Sequence, residues 1–141
     1  MAKKLADYYY PGDLELQGQF TTTDEISLPY GNDFFDFAVS DSVLDSMYFD
    51  IAQEIVKELD QTVKKLLFIS VISDPNITNK EREIIVESSH ENGTVQGFFS
   101  LPKIHRLIEG KNWKVKWVNL VRDEQITAGV INERYYVVLE K

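Results

Sequence analysis

Hydrophobic residues recur at spacings of three and four along residues 42–65: Leu44, Met47/Tyr48, Ile51, Ile55, Leu59 and Val63. That period predicts one long amphipathic helix, with Asp45, Asp50, Glu54, Glu58 and Asp60 off the apolar stripe. Ser40, Asp41 or Ser42 supplies a capping oxygen, and early acids with a late Lys64-Lys65 suit the helix dipole. Residues 66–72 are apolar without alternation, which predicts a strand buried on both faces and ended by Asp74-Pro75. Residues 82–89 and 94–101 read as a hairpin, because Glu91-Asn92-Gly93 admits the positive φ of a tight turn. Ile84 and Val86 share a face of the first strand; Val95, Phe99 and Leu101 share a face of the second, with Gly97 marking a bulge. Pro102 opens a short helix whose Ile104, Leu107 and Ile108 align, and Gly110 ends it.

Residues 112–122 alternate, with Trp113, Val115 and Trp117 on one face and Lys114 and Lys116 on the other. A loop over 123–132 precedes a last strand, 133–140, where Tyr135, Val137 and Leu139 oppose Tyr136 and Val138. Residues 1–40 read as an extended arm. It carries a Pro11-Gly12 turn, a weak alternation of Leu14, Leu16 and Phe20, and a loop at Pro29 and Gly31-Asn32-Asp33. Phe34, Phe35 and Phe37 then lead into the helix. The expected fold is α+β: one long amphipathic helix on a mostly antiparallel sheet of about five strands. Residues 1–141 form a single domain, with 1–40 as arm and 41–141 as helix-plus-sheet core.

The bulk numbers fit that reading. The 141 residues, 43% hydrophobic, suffice for one core without staples. The chain has no cysteine, which removes disulfides, thiolate metal sites and cysteine nucleophiles together and suits a reducing compartment. Lys3 and Lys4 have no apolar run behind them, as a secretory signal requires, and no run approaches the roughly 20 residues of a membrane span. The expected location is the cytoplasm or a virion. The net charge of −8 is uneven: residues 1–62 carry −10 and residues 63–141 carry +2. Such polarity marks a directional partner surface or a solvated acidic helix.

Catalytic patterns are missing. Gly110-Lys111 runs into Asn112 with no upstream glycine in register, so no P-loop forms, and no dinucleotide glycine fingerprint exists. His90 and His105 form no His-x-x-x-His pair, and no Gly-x-Ser-x-Gly elbow is present. Asp33, Asp36, Asp41 and Asp45 do not follow calcium-loop spacing. Lys103, Arg106, Lys111, Lys114, Lys116, Arg122 and Arg134 lie near Trp113 and Trp117, yet the lysines and tryptophans alternate across a strand and the protein is acidic. Nucleic acid is therefore not the expected partner. Tyr8-Tyr9-Tyr10 cannot all face one side of an extended arm, and exposed tyrosines suit protein interfaces.

The segment Leu28-Pro29-Tyr30-Gly31-Asn32-Asp33-Phe34, followed by a helix and an apolar strand, resembles the baseplate wedge (tail-lysozyme-like) family of contractile phages. That family has an aromatic-Gly-x-acid step before a helix and a strand. The likeness covers about a third of the chain and departs at Leu59-Asp60-Gln61-Thr62, where the family has Glu-Pro-Arg. It implies a viral assembly part.

The sequence thus predicts a protein that is not an enzyme and takes no cofactor or metal. It would be an assembly protein, such as a phage tail, neck or baseplate component, that binds other proteins or its own copies in a ring. Tyr8, Tyr9, Tyr10, Asp45, Asp50, Glu54, Glu58 and Asp60 are the expected protein-binding residues. The alternative is an acidic inhibitor, an immunity or anti-defence protein, whose helix carboxylates occupy a basic cleft. An enzyme using paired carboxylates leaves no sequence signature.

Overall fold

A computed structural model describes residues 26–73, 81–87, 92–125 and 130–141, the side chains of 123–125 and 130–132 excepted. Tyr8, Tyr9 and Tyr10, with the Leu14–Phe20 alternation, lie outside the described residues. In chain order the elements are β1 (Phe35–Asp41), α1 (Phe49–Thr62), β2 (Val63–Ser73), β3 (Glu83–Ile85), β4 (Val95–Gly97), α2 (Leu101–Leu107), β5 (Lys114–Gln125) and β6 (Val130–Glu140). The class is α+β, with a four-stranded sheet ordered β1-β2-β6-β5 and a two-stranded β3-β4 hairpin.

The predicted long helix over 42–65 is corrected at both ends. α1 spans only Phe49–Thr62, and residues 42–48 turn. The Ser/Asp-rich run that was expected to cap the helix spends its polar groups elsewhere: the Ser42 amide donates to the Ser70 carbonyl (3.3 Å) and to Ser70 Oγ (3.1 Å). Tyr48 is the N-cap and offers no side-chain bond; the Phe49 amide instead donates to Glu83 Oε1 at 2.8 Å, a cap borrowed from the hairpin. At the other end Val63 is already extended, as its branched Cβ favours, so Lys64 and Lys65 belong to β2 rather than to the last helical turn. The buried helix residues are Ala52, Val56 and Thr62, with Ile55 and Leu59 packed beside the core, while Ile51 is exposed.

The second correction is at β1. Phe35 and Phe37 do not lead into a helix: they start a strand that runs parallel to β2, with Phe37 opposite Leu66 and Asp41 opposite Ser70. β1, α1 and β2 therefore form a β-α-β unit, and the sheet is mixed rather than mostly antiparallel. Residues 28–34 fold onto α1. The Leu28 amide donates to Glu58 Oε2 (3.2 Å), the Asp33 amide to the Gln61 carbonyl (2.9 Å), and the Tyr30, Phe34 and Phe35 rings cluster at 4.7–5.1 Å.

Successive side chains alternate across a strand, so the register sorts the sheet into two faces. Leu67, Ile69 and Val71 of β2 share one face with Tyr135, Val137 and Leu139 of β6, as the alternation of 133–140 predicts. α1, α2, Leu44, Phe99 and Trp113 cover that face and complete the core. Burying each such Leu, Ile or Val contributes about 1.5–3 kcal/mol. The opposite face carries Phe37, Val39, Leu66, Phe68, Tyr136, Val138 and Trp117. Trp117 corrects the expected Trp113/Val115/Trp117 stripe: a register shift between Val115 and Trp117 reverses the alternation and turns Trp117 outward.

The hairpin follows its turn chemistry but is shorter than predicted. Gly93 has φ +86°, its amide donates to the Val86 carbonyl (2.9 Å), and pairing is confined to Glu83–Ile85 and Val95–Gly97. Gly97 marks no bulge: it pairs with Glu83 in register, and its amide donates to the Asp45 carbonyl (2.8 Å). α2 starts at an N-cap Ser100 whose Oγ accepts from the Lys103 amide, and Gly110 follows it with φ +72°. Among the described residues no helix is long and apolar enough to cross a membrane.

Candidate functional site

In open sheets with parallel strands, ligands gather beyond the carboxyl ends of those strands, where loops converge and backbone groups are unpaired. Here the carboxyl ends of β1 and β2 meet the amino-terminal half of the antiparallel β6. β1 delivers Asp41 and the turn after it delivers Ser42, Leu44 and Asp45; β2 delivers Ser70 and Ile72, and β6 delivers Arg134.

These side chains form one polar network. Arg134 Nη1 donates to Ser42 Oγ (2.8 Å), Asp45 Oδ2 (3.2 Å) and Ser70 Oγ (3.2 Å). Ser70 Oγ donates to Asp41 Oδ1 in a short bond, and Ser42 Oγ lies 3.4 Å from the same carboxylate oxygen. The Ile72 amide donates to Asp45 Oδ2 at 2.8 Å. Ser42 has φ +57°, a left-handed conformation that a non-glycine residue adopts at some cost and that is held here by its two bonds to Ser70. Leu44, fully buried, anchors the turn in the core.

Asp45 is the electrostatic centre of the turn. It is almost wholly buried, and Oδ1 has no hydrogen-bond partner among the described residues. Burial pushes its carboxyl above the usual range, against the opposing pull of the Ile72 amide and the Arg134 guanidinium. Its carbonyl also holds the hairpin, accepting from the Gly97 amide (2.8 Å) and Gln96 Nε2 (3.1 Å). The hairpin is thereby tied to the turn beside the carboxyl ends of β1 and β2.

A second centre fastens the hairpin to α2. Lys103 Nζ, buried, donates to the Phe98 carbonyl (3.1 Å), lies 3.6 Å from Glu83 Oε1, and sits over the Phe49 and Phe99 rings at 5.0 and 4.7 Å. Desolvation lowers the lysine pKa, with Glu83 acting in the other direction. These contacts join α2, the hairpin and the Phe49 ring of α1, so Lys103 is a structural rivet.

The five acids predicted to lie on one helix are dispersed. Asp45 lies outside α1 and is buried, Asp50 sits in the first turn, and Glu54 pairs with Lys57 at 3.1 Å. Glu58 accepts from Leu28, and Asp60 accepts from the Asn112 amide and side chain at 3.1–3.3 Å. The basic residues are dispersed as well: Lys103 is buried, Arg106 pairs with Glu81 (2.5 Å) and Lys116 with Glu140 (2.6 Å). His105 and Arg106 line a surface hollow with Glu109. Among the described residues no group of three acids or histidines is placed to hold a metal ion. Sequence reasoning missed Ser42, Ser70 and Arg134 as a unit. The available signal was the alternation of Phe35, Phe37 and Val39, which marks a strand and places Asp41-Ser42 at its carboxyl end.

No family model and no curated protein sequence matches the chain. Solved structures do match in fold. A SAM-dependent methyltransferase from Methanosarcina mazei superposes with TM-score 0.70 at 18% identity, covering 86% of this chain and 66% of that one. The 1,6-didemethyltoxoflavin-N1-methyltransferase of Burkholderia thailandensis, solved with S-adenosylhomocysteine, gives 0.60 at 15% identity, over 82% of this chain and 48% of that one. The [4+2]-cyclase SpnF gives 0.53 at 13% identity, over 86% of this chain and 56% of that one. The chain thus spans about half to two thirds of the length of these structures. The likeness is to methyltransferases in fold and not to phage structural proteins, and it overturns the expectation of a non-enzymatic assembly protein or acidic inhibitor, and with it the viral resemblance: residues 28–34 lead into β1 of this fold.

Proposed function

We propose that this chain forms part of a SAM-dependent methyltransferase and contributes the ligand-side turn 41–48 at the carboxyl ends of β1 and β2. The fold likeness over 86% of the chain is the observation that carries this reading. Asp41 is the network's exposed carboxylate, an acceptor that favours positive charge, whereas Asp45 is buried and paired with Arg134. Asp41 and Ser42, exposed at the edge of the network, are the residues that would hold a cationic donor. S-adenosylmethionine, when bound, supplies an activated methyl group. The chain itself fixes the turn: Arg134 neutralises Asp45 and orients Ser42, while Ser70 orients the Asp41 carboxylate. Reaction type follows from the site and not from the fold, which the neighbouring cyclase illustrates.

The test is calorimetric titration of the protein with S-adenosylhomocysteine, alongside transfer of labelled methyl from SAM to extracted small molecules. Binding is expected, and Asp41→Ala should weaken it about tenfold, the loss of one charge-assisted contact. Absence of binding, or binding indifferent to Asp41→Ala and Ser42→Ala, sinks the assignment of this turn.

A further inference from the structure

Past the carboxyl end of β1, other groups take its place beside β2. The Ile72 amide of β2 donates to Asp45 Oδ2 (2.8 Å), and the Ile72 carbonyl accepts from the Phe99 amide (2.9 Å). The turn 42–48 and the chain leaving β4 therefore meet at one residue of β2. The turn itself is held at three points. At its start Ser42 is tied to Ser70 and Arg134. In its middle the Asp45 carbonyl accepts from the Gly97 amide (2.8 Å) and Gln96 Nε2 (3.1 Å). At its end the Phe49 amide donates to Glu83 Oε1 (2.8 Å). Gln96 and Gly97 lie on β4 and Glu83 on β3, so two of these holds come from the hairpin.

The two parts differ in what they can bear. The hairpin pairs over three residues in each strand, and Glu83, Ile84 and Ile85 are exposed. A two-stranded ribbon of that size is marginal alone and opens more readily than a packed core. The turn is strained, with Ser42 at φ +57°. A strained turn held by a marginal ribbon keeps its shape only while the ribbon is seated. We infer that the β3-β4 hairpin is a strap on the turn 42–48: seated, it keeps Ser42 and Asp45 in the Arg134 network, and lifted, it lets them leave. Asp45 is the coupler, since its backbone faces the hairpin and its side chain faces Ile72 and Arg134. Linkage makes the coupling reciprocal, so a group bound at Asp41 and Ser42 that favours the held turn also seats the hairpin. What that group is rests on the methyltransferase reading; the coupling does not.

The test is amide hydrogen exchange on the full chain without ligand, read at Gly97, Ser42 and Ile72 and at the amides paired between β2 and β6. Gly93→Val loosens the hairpin from its turn. Gly93 has φ +86°, which a β-branched residue adopts only under strain, and a Cβ there meets nothing within 4 Å among the described residues. The variant should quicken exchange at Gly97 about tenfold, and at Ser42 and Ile72 with it, while the β2-β6 amides keep their wild-type rates. Asp45→Ala works from the other end. It keeps the carbonyl that accepts from Gly97 and removes the side chain bonded to Ile72 and Arg134, so faster exchange at Gly97 has to pass through the turn. Two results overturn the strap: Gly97 quickened by Gly93→Val with Ser42 and Ile72 unmoved, or a uniform change across the sheet. Should Gly93→Val leave Gly97 itself unmoved, Asp45→Ala decides, and a Gly97 amide indifferent to it overturns the strap as well. Saturating S-adenosylhomocysteine is then added to the wild-type protein. Slower exchange at Gly97 is expected; an unchanged rate beside positive exchange results takes the ligand off this turn and leaves the strap standing.

Discussion

The two faces of one sheet are built from the same strands and the same residue types, yet they differ in every physical respect. On the covered face Leu67, Ile69, Val71, Val137 and Leu139 have no exposed surface. On the open face, one residue along in each strand, Phe37, Val39 and Trp117 meet solvent. Composition does not distinguish them: Val39 and Val137 are the same side chain in the same kind of strand. What differs is the layer above, α1 and α2 on one side and nothing among the described residues on the other. Hydrophobicity therefore reports where a face wants to be, and only the packing partner decides whether that want is met within the described structure.

The largest expected effect breaks the covered side. Leu139→Ala opens a cavity under α1 and α2 and should cost about 2–5 kcal/mol, whereas Val39→Ala should change stability by no more than about 0.5 kcal/mol in the isolated chain. Urea unfolding of both variants checks this. Equal losses would show that the open face is already covered.

Next is the rivet that holds hairpin to core. Lys103→Ala removes a cation from two aromatic rings and leaves Glu83 and the Phe98 carbonyl with one partner fewer, a loss of about 2–3 kcal/mol. Since Glu83 also caps α1, the variant should show earlier amide exchange at Phe49 and Gly97, while the β2-β6 pairing stays protected. Uniform deprotection would mean the hairpin is integral to the sheet rather than riveted onto it.

How far the sequence could be read follows the same contrast. The β6 alternation of Tyr135, Val137 and Leu139, the Asn-Gly hairpin and the Pro102–Gly110 helix were legible because each rests on local rules of period or turn chemistry. β1 was not, because Phe34, Phe35 and Phe37 satisfy a helix lead-in as well as a strand, and only pairing with β2, across an intervening helix, decides between them. The 42–48 turn was misread for a related reason. Its Ser and Asp residues suit an N-cap locally, but Ser70 and Arg134, 28 and 92 residues from Ser42, claim them first. Of the site only Asp41-Ser42 had a local signal, the alternation before it; its other members are distant in sequence, and nothing local marks Arg134 as Asp45's partner rather than a member of a basic strand.

A subtler effect tests the buried member of that site. The folded-state pKa of Asp45 lies above its ordinary value near 3.8, so the folded protein keeps this proton longer than the unfolded chain. Stability from this group is greatest at acid pH and falls as pH rises from about 3.8 through the folded value. Asp45→Asn removes that titration. The variant should be the less stable protein near pH 3.5, where only its imperfect match to Ile72 and Arg134 matters, and the gap should narrow toward about pH 7. Denaturant midpoints at both pH values decide it. A gap that widens with pH would mean that the Arg134 charge outweighs burial and that the turn is held by the ion pair.

The smallest effect belongs to the rim of the open face. Lys116 sits at the register shift that turns Trp117 outward, and its Nζ pairs with Glu140 at 2.6 Å across β5 and β6. Both side chains are largely exposed, so water and salt screen the pair, and Lys116→Ala should cost at most about 0.5–1 kcal/mol, vanishing in molar salt. A loss that is larger than this, or that persists in molar salt, would mean that the pair is shielded from water and that the face bearing Trp117 is covered.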